Sequence, residues 1–132
     1  MIESGEQSNT HLAISPVLVG EPLALAEGRA VVQLQTCAEM VADERGLVHG
    51  GFTFGLADYA AMLCVNDPNV VLGAAETKFL APVKLGETLV AEAELLEAKG
   101  KKRLVKCVVK TSGPVFEGVF TCFALEKHIF DM

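Results

Sequence analysis

The chain has no tryptophan, a single tyrosine and only three histidines. Its four cysteines, Cys37, Cys64, Cys107 and Cys122, form no C-x-x-C pair and lie scattered in apolar or strand-like segments. That dispersal excludes a zinc ribbon or a disulfide framework and reads as reduced, buried small side chains. His11, His49 and His128 are equally far apart, with no acidic cluster beside them, so no metal site is expected. Positive charge is also scarce: 11 Lys and Arg stand against 17 Asp and Glu, a net charge of −6. General nucleic-acid or anionic-membrane binding needs a basic surface that this balance does not supply, and there is no helix-turn-helix segment or basic arm. No apolar run is long enough to span a bilayer, and the first ten residues lack the cationic start and apolar core of a signal peptide. A cytoplasmic protein is expected.

What is present is a chain of 132 residues with 51% hydrophobic content, enough for one domain, residues 1–132, with a real core. The polar first dozen residues are expected to fray. Pro22 to Thr36 reads as a hairpin turning at Glu27-Gly28, because Val32 and Leu34 alternate with Gln33 and Gln35. Cys37 to Ala42 suits one helical turn, and Asp43 to Gly46 a polar loop. After the central segment come strand-like runs at 70–80, 87–98, 103–110 and 115–126, separated by Ala81-Pro82, Lys99-Gly100-Lys101-Lys102 and Ser112-Gly113-Pro114. They are expected to form a four-strand meander whose apolar face wraps a buried helix, an α+β arrangement.

That helix follows the glycine-rich turn Gly46-Leu-Val-His49-Gly50-Gly51 and runs through Val65, ending near Pro68. It is apolar on nearly every face, as an enclosed helix is. Asp58 breaks the pattern, with Phe54, Ala57, Ala61 and Met62 as its helical neighbours. Two readings fit: a core aspartate hydrogen-bonded to a neighbouring loop, or a functional carboxylate with a raised pKa. Glycines at the helix entrance favour the second, because the first-turn N–H groups lack intrahelical acceptors and suit a developing oxyanion. His49 is open to structural and chemical roles alike. Nine residues of helical rise put His49 and Asp58 roughly 13 Å apart, so they cannot serve one atom within a single chain. A two-fold dimer with antiparallel helices would bring Gly50 of one subunit to Asp58 of the other.

Gly46-x-x-His49-Gly50-Gly51, the helix-borne Asp58, Lys78-Phe79-Leu80-Ala81-Pro82 and Gly86-Glu87-Thr88-Leu89, in that order, closely resemble the hotdog-fold thioesterases of the phenylacetate-pathway (PaaI-like) type. The resemblance runs from about Arg29 to the last strand. It implies an antiparallel sheet curled around a central helix, homodimers with sheets paired edge to edge, and often homotetramers. It implies hydrolysis of an acyl-coenzyme A thioester with no separate cofactor, coenzyme A being part of the substrate. On that pattern the Gly50 N–H holds the thioester carbonyl, Asp58 of the partner subunit activates water or attacks the carbonyl itself, and His49 orients the loop or assists near the thioester. Gly51, Phe54, Tyr59, Met62, Thr77, Lys78 and Lys84 are the expected substrate contacts, the lysines being phosphate candidates together with Lys99, Lys101, Lys102 and Arg103.

Two positions depart from the family. Asp43 stands where members often carry an asparagine amide, and the strand hydroxyl of some relatives falls at Leu72 or Gly73, with Thr77 or Tyr59 as possible substitutes. The competing function is a non-catalytic acyl-CoA or fatty-acyl sensor on the same fold. A hotdog dehydratase is weaker still, since that resemblance needs a histidine in a different loop.

Overall fold

The alternation read in Arg29–Gln35 is the pattern that builds the sheet. In the computed structural model, which describes residues 6–132, Ala30, Val32 and Leu34 are buried while Gln33 and Gln35 face solvent. Strands β1 (Glu21–Ala26) and β2 (Arg29–Gln35) form the expected hairpin around Gly28, which takes a positive φ. A short 3-10 turn at Ala38–Met40 and the loop after it lead into α1 (Gly50–Val65). Four more strands follow: β3 (Val70–Phe79), β4 (Thr88–Lys99), β5 (Lys102–Lys110) and β6 (Pro114–Ala124). Pro114 opens its strand, where its missing N–H costs the ladder nothing.

All six strands join one antiparallel sheet in the order β1-β2-β4-β5-β6-β3. The expected four-strand meander is therefore corrected: only β4, β5 and β6 run as neighbours in sequence. β3 does not pair with β4 but lies beyond β6 at the opposite edge, and the chain from Leu80 to Glu87 crosses back to the centre of the sheet. Continuity of turn signals cannot distinguish these two topologies, because both need the same strands and loops.

The sheet curls around α1, whose Leu56, Ala57, Ala60, Ala61, Met62 and Leu63 are at most 1% exposed. Ala57, Ala60 and Ala61 let the strands approach closely, and Phe116 and Phe120 of β6 fill the space along one flank. This is the hotdog fold. At its C-terminus the helix closes on Asn66 in the left-handed conformation, whose N–H donates to the Met62 carbonyl.

Residues 7–11 differ from the expected fraying. The Asn66 side-chain amide donates to the Gln7 carbonyl at 2.8 Å and its oxygen accepts from the Asn9 N–H at 2.7 Å. Thr10 is buried beneath, and the His11 ring lies 6.2 Å from that of Tyr59. The helix cap thus holds the amino-terminal segment in place. Residues 1–5 of the stretch expected to fray lie outside the described residues. Among the described residues no helix is long and apolar enough to cross a membrane.

Candidate functional site

Two ladders set the entrance of α1. The Val48 N–H donates to the Val83 carbonyl and the His49 N–H to the Met40 carbonyl, at 2.9 and 2.8 Å. Leu47 bridges to Lys84. His49 is then the residue before the helix, in extended conformation, with its side chain making no cap. The Gly50 and Gly51 amides open the helix without intrahelical acceptors.

Each glycine here has a neighbour that occupies the space of a side chain. A Cβ on Gly50 would lie 3.0 Å from the Phe79 ring, and one on Gly51 would lie 3.0 Å from the His49 ring. His49 is solvent-exposed and sets its ring edge-on to Phe52 at 6.3 Å. The histidine therefore braces the turn from outside.

Asp58 lies two turns further on, bracketed on its own helix face by Phe54 and Met62 at spacings of four. Phe54 packs 5.7 Å from Phe120 and 6.4 Å from Phe116, ring to ring, while Met62 is 1% exposed. The Oδ1 of Asp58 is sealed from solvent with no hydrogen-bond partner, the only such side-chain atom among the described residues. Burial pushes the carboxyl pKa up to about 6. No neighbouring loop satisfies that oxygen, so the core-hydrogen-bond reading finds no partner among the described residues.

The remaining expected contacts divide by place. Thr77 lies on the inner face of β3, opposite Gly118, where a Cβ on that glycine would meet the threonine methyl at 2.8 Å. Lys78, one residue on, points to the outer face opposite Glu117 and borders a charged groove with Lys106 and Glu76. Thr77 borders that groove as well, although its side chain leaves the strand on the opposite face from that of Lys78. Tyr59 is 6% exposed and packs towards His11, and burial raises its phenol pKa. Lys84 is exposed beside the helix entrance, its N–H donating to Glu87 at 2.7 Å.

Lys99, Lys101, Lys102 and Arg103 belong to the β4–β5 turn at the other end of the sheet. Lys102 pairs with Phe123, whereas Phe79 beside Gly50 pairs with Phe116, about 23 Å away along β6. Arg103 is committed to that turn, donating to the Gly100 carbonyl at 2.6 Å.

Two depressions flank the helix entrance. One, of about 350 Å³, is walled by Gly50, Thr53, Phe79, Leu80, Val48 and Val115 together with neighbouring apolar residues. The second, of about 260 Å³, shares Leu47, Pro82 and Val83 with it and adds Arg45 and Lys84. Arg45 and Thr53 did not emerge from the sequence reading. The signal for Arg45 was its place in the loop just before the glycine turn; Thr53 had none, being one small polar residue in an apolar run. Asp43, where an amide was expected, turns its Oδ1 into its own loop, accepting from the Arg45 and Leu47 N–H groups at 2.9 and 3.1 Å.

Comparison with known proteins places this geometry in a family. Residues 45–116 match the thioesterase superfamily. The chain belongs to that superfamily. Within it, fold and neighbours are those of the hotdog-fold, PaaI-like group. It is similar to an uncharacterized protein of Pyrococcus horikoshii, with 54% identity and a TM-score of 0.94 over 96% of this chain and 98% of that one. A mutant of phenylacetic acid degradation protein PaaI from Thermus thermophilus matches with 29% identity and a TM-score of 0.75, over 82% and 95% of the two chains.

Among curated relatives, the methylthioribose-1-phosphate isomerase of Aquifex aeolicus is 52% identical over 89% of this chain but only 26% of its own length. Transcription factor FapR of Caldanaerobacter subterraneus subsp. tengcongensis is 31% identical over 83% of this chain and 56% of its own length. The chain thus spans between a quarter and little more than half of these two relatives.

Proposed function

We propose that this chain hydrolyses an acyl-coenzyme A thioester to the free acid and coenzyme A, as a homo-oligomer whose sites are shared between subunits. The observation that carries the reading is Asp58: a carboxylate oxygen sealed in an apolar face without a partner, on the helix whose first amides await an anion. A purely apolar acyl pocket gains little from such a group, whereas a base that must take a proton near neutrality gains a great deal from a pKa of about 6.

In the proposed reaction the Asp58 carboxylate removes a proton from water as the oxygen bonds to the thioester carbonyl carbon. The negative charge gathers on the carbonyl oxygen, against the Gly50 N–H of the facing subunit. Collapse re-forms the carbonyl and breaks the C–S bond, and the proton held by Asp58 passes to the departing thiolate. Direct attack by Asp58 would instead pass through a mixed anhydride that water then opens. His49 keeps the glycine turn in shape, and Arg45 and Lys84 receive the phosphates of the coenzyme. No further cofactor enters this scheme, and we place it in the cytoplasm, away from nucleic acid and membrane.

The shared site follows from length. Gly50 and Asp58 are eight residues apart on one straight helix, about 12 Å of rise, so a single subunit cannot present both to one carbonyl. The β3 edge is unpaired in the single chain, and its inner face is open, with Phe79 57% exposed. Pairing two β3 edges about a two-fold axis would cover that face and bring the helices together.

Free-thiol release from short, long and aryl acyl-CoAs tests the reading. The wild type should show selective release, and Asp58→Asn should lose roughly two to four powers of ten in rate. Equal activity in the variant would reject the role of Asp58. One relative over this stretch is a transcription factor, so a second reading is an acyl-CoA binding domain without turnover. Calorimetric binding of acyl-CoA with no thiol release would favour it.

A further inference from the structure

Three threonines of the described chain are buried to 5% exposure or less: Thr10, Thr36 and Thr53. Two of them are satisfied inside the protein. The Thr10 hydroxyl meets His11 Nδ1 at 2.8 Å, and the Thr36 hydroxyl donates to the Glu87 carbonyl at 2.7 Å while accepting from the Gly86 N–H at 2.9 Å. Thr53 is 3% exposed, and its side chain makes no hydrogen bond among the described residues. It is nonetheless not sealed in, as Asp58 Oδ1 is. Thr53 lines the 350 Å³ cavity, and every other side chain on that wall is apolar.

Position makes the orphan hydroxyl specific. Thr53 is three residues after Gly50, on the same face of the helix, and helical side chains lean back towards the N-terminus. Its side chain consequently leans towards the turn that carries the Gly50 N–H, and both residues border one cavity. A buried hydroxyl without a partner is unfavourable, and a bound acceptor would relieve that cost. The polar side chain that precedes the turn, Asp43, cannot fill this role, because it bonds to its own loop and a carboxylate has no proton to donate.

We infer that the Thr53 hydroxyl is a second donor to the thioester carbonyl oxygen, acting beside the Gly50 amide as negative charge develops there. The inference rests on the proposed thioesterase activity and adds a residue that contacts the reacting atoms. Two donors on one oxygen fix its direction as well as its charge, so the hydroxyl also selects ligands with a carbonyl at that point.

The test combines turnover with equilibrium binding. Thr53→Val keeps the shape and removes the hydroxyl, and Thr53→Ser keeps the hydroxyl. Circular dichroism melting of both variants checks that they fold. With the best acyl-CoA of the thiol-release panel, Thr53→Val should lower kcat by roughly 100-fold with a smaller change in KM, and Thr53→Ser should recover most of that loss. A 2-oxoalkyl-CoA ketone, which keeps the carbonyl but cannot be hydrolysed, should bind Thr53→Val about tenfold more weakly than wild type. The matching S-alkyl-CoA thioether, which has no carbonyl, should bind both alike.

Turnover within threefold of wild type in Thr53→Val would overturn the inference. So would equal weakening of ketone and thioether, which would assign Thr53 to the arm of the coenzyme. If the wild type releases no thiol from any acyl-CoA, the hydrolase reading fails by itself. The ketone and thioether affinities then still decide Thr53, and equal affinities in the wild type reject it.

Discussion

On the proposed mechanism Asp58 links activity to stability through one proton. Its carboxyl titrates at about 6 in the folded chain against an ordinary value of 3.8. Below the lower value both folded and unfolded chains hold the proton and nothing is lost. As pH rises from about 4 towards 6 the unfolded chain releases its proton first, so the folded state loses stability, and the loss is complete above 6. Partial exposure reduces the penalty to about 1–2 kcal/mol. Asp58→Asn should therefore melt a few degrees higher than wild type at pH 7 and lose the decline between pH 4 and 6, as read by thermal unfolding at fixed ionic strength. The kcat/KM of the wild type should rise with pH through about 6 and then level. A flat profile across that range would mean that Asp58 is not the base.

The contrast between Asp58 and Thr53 shows how far single residues were legible. An acid inside an apolar helix stands out in sequence because its surroundings contradict it. Thr53 contradicts nothing, since threonines are commonly buried with a partner, and its meaning lies in the partner it lacks. Arg45 was hidden for another reason: its relevance depends on Lys84, 39 positions away, coming to lie in the same depression.

At the scale of elements, hydrophobic alternation and the Gly and Pro breaks placed the strand limits within a residue or two, because each limit is a local event. The hairpin read at 22–36, for instance, is observed as 21–26 and 29–35. The neighbour of β3 was not local, and its position came out only in the structure. That position matters most for assembly. Along an edge strand, alternate N–H groups point inwards to β6 and outwards to open space. Of Ala74→Pro and Ala75→Pro, one removes an inward bond and the other an outward one. Light scattering after size exclusion should show the outward variant shifting from dimer to monomer while keeping its fold. An unchanged oligomer in both variants would exclude pairing through this edge.

Across the whole molecule, three thiols report on the core. Cys64 on α1, Cys107 on β5 and Cys122 on β6 are at most 2% exposed, and burial, with nearby acids and thiols, pushes each pKa up to about 12. Cys37 is only partly covered. A disulfide-exchange dye should label about one thiol per native chain rapidly and the other three at the rate of unfolding. Fast labelling of all four would mean that the helix leaves the sheet far more often than this packing allows. All four cysteines are free, as their spacing implied, but the expected burial holds for three and fails at Cys37; that those three gather between helix and sheet depends on the sheet order.

The distance between Gly50 and Asp58 on one rigid helix has a further meaning for the protein in a cell. If the acid and the amide are divided between chains, as proposed, a subunit can be fully folded and still be silent. The number of working sites then grows with the square of the chain concentration wherever monomers prevail. A modest change in synthesis or dilution would act as a switch, with no effector and no change of shape.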